Sequence, residues 1–289
     1  MKRLTLFALL VALCVSTSFA APKDKNKTPH RQGWDEDLPL YGNVESVTFT
    51  RYSAAQVESG KPLAEQTGNI VFSYKFNKRG NVIEEVLYNI DGAIGEKNIY
   101  NYGAKRLLTE KTIHNSDGTV RERVLYKYGR KRRVTERVWC DNDYKPSRKC
   151  LHTYDRKGHE LERVMYNTDG SINEKHISKY NSQGQKIEKE IYNSRGILSA
   201  KELYKYDENG YLVEKLTVNS KGKQLEKELY KYNDKGQKIL LSNYNKGGKL
   251  CARMQFKYDT MGNLVEISSR KEGRTPPIGI IKGNIVYRK

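Results

Sequence analysis

The sequence predicts an all-β fold: tandem 26-residue β-hairpin repeats joined into one long, twisted or coiled antiparallel sheet. Three observations predict it. Phe76, Tyr102, Tyr128, Tyr154, Tyr180, Tyr206, Tyr232 and Tyr258 recur every 26 residues without insertion or deletion, and a period of about 20–50 residues marks a stacked or arrayed architecture. Glycines punctuate each period twice, at Gly184, Gly210, Gly236 and Gly262 after the anchor tyrosine and at Gly170, Gly196, Gly222 and Gly248 twelve residues on. The segments between them are seven to nine residues long and rich in Val, Ile, Leu and Tyr, which suits strands and leaves no room for the helices of a helical repeat.

Residues 1–20 read as a secretory signal peptide. Lys2 and Arg3 precede an apolar run, Leu4 to Val15, and Ser18-Phe19-Ala20 supplies a small-x-small cleavage signature. Leu13 stands before Cys14 where a lipoprotein would carry a small residue. Cleavage is therefore expected after Ala20, giving a mature protein that is secreted, periplasmic or held at the cell surface. Residues 21–40 are charged, carry Pro22 and Pro29, and read as a disordered lead-in. Residues 41–72 supply N-terminal capping strands: Val44, Val47 and Phe49 alternate with polar neighbours, and a second strand starts at Asn69. Residues 73–270 hold the repeats, whose eight anchors imply about sixteen strands. Residues 271–289 pass Pro276-Pro277 and run into an apolar strand expected to cap the far edge. The repeats alone would form a ribbon about 75 Å long and about 25 Å wide, either thin and solvated or coiled on itself.

The turn sequences predict register. In Asn89-Ile90-Asp91-Gly92-Ala93 the Gly is third in the loop, as in a type I turn closed by a left-handed Gly. That loop sets Tyr88 against Ile94 and puts Glu84, Glu110, Glu136, Glu162, Glu188, Glu214 and Glu266 on one face with Tyr88, Tyr166, Tyr192, Tyr244, Tyr204 and Tyr206. Lys97, Arg123, Lys149, Lys175, Lys201, Lys227 and Arg253 fall on the other with Ile99, Leu125 and Leu203. A two-residue loop would instead set Glu84 against Lys97; the glycine position favours the first register.

Tyr204-Lys-Tyr-Asp-Glu-Asn-Gly210, Tyr230-Lys-Tyr-Asn-Asp-Lys-Gly236 and Phe256-Lys-Tyr-Asp-Thr-Met-Gly262 resemble the RHS/YD family of bacterial repeats, and still more the secreted bacterial Tyr-Lys-Tyr-Asp-x-x-Gly-Asn repeat proteins. The resemblance covers about 200 residues. In the large members it implies a coiled β-sheet shell around a toxin segment; here the period is longer and no toxin domain is expected after residue 270.

Composition narrows the function. The formal charge is +19, or +17 once Lys2 and Arg3 are set aside with the signal segment, which favours acidic partners. An anionic polysaccharide or envelope component, or a protein, is the expected partner; nucleic acid is not, and no membrane span is expected. Hydrophobic residues make up 37% of the chain, and Tyr supplies 21 aromatics against 6 Phe and 2 Trp, so thin sheets covered by amphipathic rings are favoured over one large core. No HExxH, GxSxG, CxxC or phosphate loop occurs. The histidines read as surface variants of repeat positions, so no catalytic residue, metal or cofactor is expected.

Two features stand out. Cys140 and Cys150 bracket a hairpin that has Tyr144 in place of the turn Gly and carries Pro146; a disulfide between them would replace the lost turn, with Cys251 left unpaired. The inter-repeat turns of the first four copies carry Lys78 and Arg79, Lys105 and Arg106, Arg130, Lys131, Arg132 and Arg133, then Arg156 and Lys157, whereas later turns are near neutral. These ten cations predict a basic edge for a polyanion. The reading is an exported, non-enzymatic binding protein. Its rivals are self-assembly through the sheet edges, or service as shell or immunity partner of a secreted toxin.

Overall fold

The structure is a computed structural model that describes residues 40–270 and 279–289. The expected signal peptide and nearly all of the lead-in lie outside the described residues. The chain forms β1 (Val44–Ser53), a short helix α1 (Ala54–Glu58), β2 (Asn69–Phe76), β3 (Val82–Tyr88), β4 (Ile94–Tyr102), β5 (Leu108–Asn115), β6 (Val120–Tyr128), β7 (Val134–Cys140), β8 (Pro146–Tyr154) and β9 (Glu160–Tyr166). It continues through β10 (Ile172–Tyr180), β11 (Lys186–Tyr192), β12 (Leu198–Tyr206), β13 (Leu212–Asn219), β14 (Gln224–Tyr232), β15 (Lys238–Tyr244), β16 (Leu250–Tyr258), β17 (Leu264–Arg270) and β18 (Gly279–Tyr287). Among the described residues Ala54–Glu58 is the sole α-helix, capped by Ser53, whose hydroxyl accepts from the Gln56 N–H.

All eighteen strands belong to one sheet, and consecutive strands pair antiparallel. The sheet closes. β1 pairs with β2 on one side and with β18 on the other, so Thr48 faces Ser73 and also Asn284. The expected long open ribbon is therefore an up-and-down barrel, and the two terminal segments join each other instead of capping separate edges. The physical reason is accumulated twist and coil: a strongly twisted sheet of this many strands must curl, and pairing its ends satisfies both rows of open backbone groups.

The loops and the Tyr88–Ile94 pairing are as predicted; the register beyond them is not. The Asn89 N–H donates to the Ala93 carbonyl and the Gly92 N–H to the Asn89 carbonyl, and Gly92 takes φ +84°. Beyond the loop, however, Tyr88 faces Ile94 while Leu87 faces Glu96, so Gly95 is an extra, bulged residue. A second bulge follows each inter-repeat turn, where Tyr206 faces Leu212 but Lys205 faces Glu214. A one-residue slip moves every later side chain to the opposite face.

Two bulges per repeat thus re-sort the faces. The Glu84 row and the Lys97 row share one face, and Lys75 and Lys97 both reach Glu84, at 2.8 and 2.9 Å. Arg123 likewise meets Glu110 at 2.6 Å and Lys175 meets Glu162 at 2.5 Å. Tyr88, Tyr166, Tyr192 and Tyr244 stay with these ions, while Tyr204 and Tyr206 point the other way. Exposure says which face is inner: on β16, Ala252, Met254 and Phe256 are buried, whereas Arg253, Gln255 and Lys257 are exposed. The ion-paired face is outside; the anchor-tyrosine face lines the barrel interior.

The packed part of that interior centres on the seam. Val44, Val47 and Phe49 of β1, Phe76 and Val82, Phe256, Leu264 and Ile267, and Ile281 of β18 form a continuous buried cluster, extended by Tyr204 and Tyr230. Farther round, one hydrogen bond repeats with the sequence. The hydroxyls of Tyr102, Tyr128, Tyr154, Tyr180, Tyr206, Tyr232 and Tyr258 donate to the carbonyls of Val82, Leu108, Val134, Glu160, Lys186, Leu212 and Lys238, at 2.5–2.9 Å. Each carbonyl sits beside the bulge that opens the preceding odd-numbered strand, where ladder pairing is disturbed. Phe76 comes first, with no earlier repeat carbonyl to reach, and carries no hydroxyl.

Candidate functional site

Every inter-repeat turn lies on one rim of the barrel, because each joins an even-numbered strand to the next odd one. The four basic turns are consecutive on that rim, about 10 Å apart by ladder spacing. The predicted straight edge is therefore an arc. Lys78, Arg79, Lys105, Arg106, Arg130, Lys131, Arg132, Arg156 and Lys157 are exposed, and Arg133 is half-buried.

Local backbone explains the shape of the arc. Where the fourth-position Gly is missing, a non-glycine takes its place in the left-handed region: Arg106 at φ +62°, and Lys131 and Arg132 at +60° and +58°. Left-handed φ costs an ordinary residue about 1–2 kcal/mol, so these two turns hold strained arginines at the surface. In the fourth turn the cations are joined to the third by main-chain acceptors. Lys131 Nζ donates to the Arg156 carbonyl and the Arg133 guanidinium to the Lys157 carbonyl, both at 2.9 Å. The Arg133 guanidinium also lies over the Tyr154 ring at 5.7 Å.

Arg133 is the first member of a stack that runs along the rim. A Cβ on Gly158 would fall 1.6 Å from the Arg133 guanidinium, one on Gly184 2.7 Å from the His159 ring, and one on Gly236 2.2 Å from the Tyr211 hydroxyl. Each turn thus lodges a side chain in the hollow left by the next turn's glycine. His159 and Tyr211 are in turn stacked on Tyr180 and Tyr232, at 4.7 and 4.9 Å between ring centres. Beside the last basic turn this leaves an open cleft of about 540 Å³ lined by Asp155, Arg156, Lys157, His159 and Lys179. Desolvation would raise the Asp155 carboxyl, but hydrogen bonds from His159 and from the backbone N–H groups of His159 and Gly158 hold it down at about 2. It stays ionised and engaged within its own turn.

The disulfide expected between Cys140 and Cys150 is not formed; both are free buried thiols. Cys150 faces Arg137 across the ladder while Cys140 faces Pro146, three positions on. An odd separation along β7 also puts the two side chains on opposite faces, well outside disulfide reach. Tyr144 closes that turn instead, at φ +62°, with the Arg123 guanidinium over its ring at 4.6 Å.

The histidines read as surface variants include two that point inward. Arg137 Nε donates to His152 Nε2 at 3.1 Å, and His152 Nδ1 lies 2.5 Å from the Glu160 carboxylate. Arg163 lies 2.7 Å from His176 Nδ1, and His176 Nε2 meets Glu174. Arginine can only donate, so in each case the ring nitrogen beside it accepts; His152 Nδ1 then carries its proton toward Glu160, whereas His176 Nε2 lies close to Glu174 without hydrogen-bond geometry. Burial first, then Lys189 and Arg163, lowers the His176 pKa. Burial alone would raise Glu160, but His152, Arg163 and Lys186 hold it below the ordinary carboxylate range. Lys111, Arg137, Arg163, Lys189 and Lys215 form an inward row of cations that the sequence reading missed, because it was hidden behind the unrecognised bulges. Its members are answered by neighbouring carboxylates or imidazoles, as Lys189 is by Glu202 at 3.1 Å. Among the described residues no group of three His, Cys, Asp or Glu is arranged to hold a metal.

Comparison with known proteins adds likenesses of fold. A family model described as "Uncharacterised protein" matches residues 171–272, about a third of the chain. No curated protein matches. A porin-like protein from Bacteroides uniformis is similar over 86% of this chain and 99% of its own, at 8% identity and a TM-score of 0.44. A porin-like protein from Bacteroides vulgatus is similar over 85% and 98%, at 14% identity and a TM-score of 0.33. The TcdB2-TccC3-TEV structure matches 78% of this chain but 17% of its own, at 12% identity and a TM-score of 0.22. Barrel closure itself stands on the β1–β18 ladder, independently of those likenesses.

Proposed function

We propose that this protein is exported and works in water as a non-enzymatic binding barrel whose basic rim holds an anionic extracellular or envelope glycan. One observation carries the reading: nine exposed cations sit on four consecutive turns of one rim. The four turns that follow are near neutral in sequence, so the charge has a direction around the barrel. A surface of one sign raises the local concentration of a polyanion and binds it by releasing its counterions.

The outer wall supports a barrel in water over one in lipid. A membrane barrel needs an apolar band about 25 Å tall, and Lys or Arg facing the bilayer midplane costs about 2–4 kcal/mol each. Here the middle of the outer wall carries the Glu84 and Lys97 rows, with Lys205 and Lys227 both reaching Glu214 at 2.8 Å. Closure also leaves each described strand with two neighbours, which removes the template that assembly by strand addition would need.

The test removes exposed rim cations that have no structural task. Lys78, Arg79, Lys105, Arg130 and Lys157→Ser should elute from heparin-agarose at markedly lower salt. Lys221, Lys223, Lys246 and Lys249→Ser, which remove charge from the opposite rim, should elute close to the parent. Equal shifts from both sets, or none from the first, would overturn the rim as the binding surface.

A further inference from the structure

The outer wall repeats a glutamate at one position in every copy but one. In the Glu214 copy the carboxylate sits between two cations, the directly opposed Lys205 on β12 and the diagonal Lys227 on β14, each at 2.8 Å. Glu84 is held in the same way by Lys75 and Lys97. Seven of the eight repeats place a glutamate at this position; the seventh in chain order places Leu240 there. Its flanking cations are nevertheless kept. Lys231 stands directly opposite Leu240, and Arg253 lies on the diagonal, two residues before the Gln255 that faces Leu240 on β16. Among the described residues neither side chain has an ion-pair or hydrogen-bond partner.

A cleft opens at the same place. It measures about 400 Å³ and is lined by Leu229, Lys231, Leu240, Ser242, Tyr244 and Arg253, within the range of small-ligand sites. Its floor is apolar where the other repeats are ionic, and Ser242 is buried. The two cations stand at the positions that stabilise an anion elsewhere on this wall: Lys205 and Lys227 hold the Glu214 carboxyl below its ordinary range. Two cations left unanswered beside an apolar floor repel each other and gain from a bound anion.

We propose that this cleft binds a monocarboxylate with an apolar body. The ligand carboxylate would take the place of the missing glutamate between Lys231 and Arg253, and its apolar part would lie on Leu229, Leu240 and Tyr244. The site is separate from the basic rim and does not depend on rim binding.

The decisive variant is Leu240→Glu, which restores the repeated glutamate and fills the slot from within. Because its glutamate has the setting of Glu214, the variant should fold and be no less stable than the parent. Isothermal titration of the full mature chain with octanoate should give saturable one-to-one binding. Affinity should fall at least tenfold for octanamide, which lacks the charge, and for acetate, which lacks the apolar body. It should fall by a similar factor in Leu240→Glu and in Arg253→Ala. Failure of the parent to bind octanoate would overturn the proposal. So would equal binding of octanamide or acetate, or unchanged binding in folded Leu240→Glu.

Discussion

At the scale of single residues, the anchor tyrosine has two jobs that its recurrence alone does not separate. Its ring covers the inner wall, and its hydroxyl serves the carbonyl beside the bulge of the preceding repeat. Tyr206 donates to the Lys186 carbonyl at 2.8 Å; Tyr192, on the outer face, donates instead to the side chain of Glu190 at 2.9 Å. Removing the first hydroxyl leaves a half-buried carbonyl short of a partner, a loss of about 1–3 kcal/mol, whereas water replaces the second at little cost. Tyr206→Phe should therefore lower stability by about 1–2 kcal/mol in urea melts, with Tyr192→Phe within about 0.5 kcal/mol of the parent. Equal losses would mean that the ring alone matters. Phe76, the one anchor without a hydroxyl, stands where the array begins.

At the scale of elements, loops were legible in the sequence and bulges were not. A Gly third in a loop after Asn or Asp announces its own left-handed conformation, so the turn at Asn89–Ala93 could be read directly. The bulged residues Gly95 and Val213 share no residue type and announce nothing. Their effect on facing is all-or-none, which is why the Glu84 and Lys97 rows seemed to part and Lys111, Arg137 and Arg163 went unseen. The rim stack is likewise written in glycines but is visible only once neighbouring turns are placed side by side. Gly236 and Gly222 both take positive φ, +73° and +77°, yet a Cβ would meet the Tyr211 hydroxyl at 2.2 Å in the first and nothing within 4 Å in the second. Both Ala variants pay the left-handed penalty of about 1–2 kcal/mol. Gly236→Ala should lose about 1 kcal/mol more, because Tyr211 is pinned on Tyr232 and cannot swing clear without breaking the stack. Thermal melts of the pair decide it, and equal losses would show the stack to be slack. The converse change, Arg106→Gly, should gain up to about 1 kcal/mol while removing one rim cation, uncoupling stability from polyanion retention.

At the scale of the whole molecule, closure was the step no local signal carried: β1 and β18 read as two caps, and only their mutual ladder makes them a seam. Closure also turns the tyrosine rows inward, and this gives the barrel a defined response to alkali. Burial pushes Tyr128, Tyr180 and Tyr206 up to about 12, and raises Tyr102 and Tyr258 further still. An unfolded chain ionises its tyrosines near pH 10. A group whose folded pKa lies above its unfolded one contributes stability that is complete below the unfolded value and is lost as pH climbs through the folded one. The barrel should accordingly hold its stability up to about pH 10 and lose it steeply between about pH 10 and 12, as several inward hydroxyls act in the same direction. Tyrosinate absorbance should rise in one cooperative step together with loss of β circular dichroism. The outer ion pairs also weaken as lysines deprotonate, but salt screens those, so a step that persists in about 0.5 M salt belongs to the interior. A gradual titration of all tyrosines near pH 10 with the sheet signal intact would mean that the rows face water, and the assignment of inner and outer walls would be reversed.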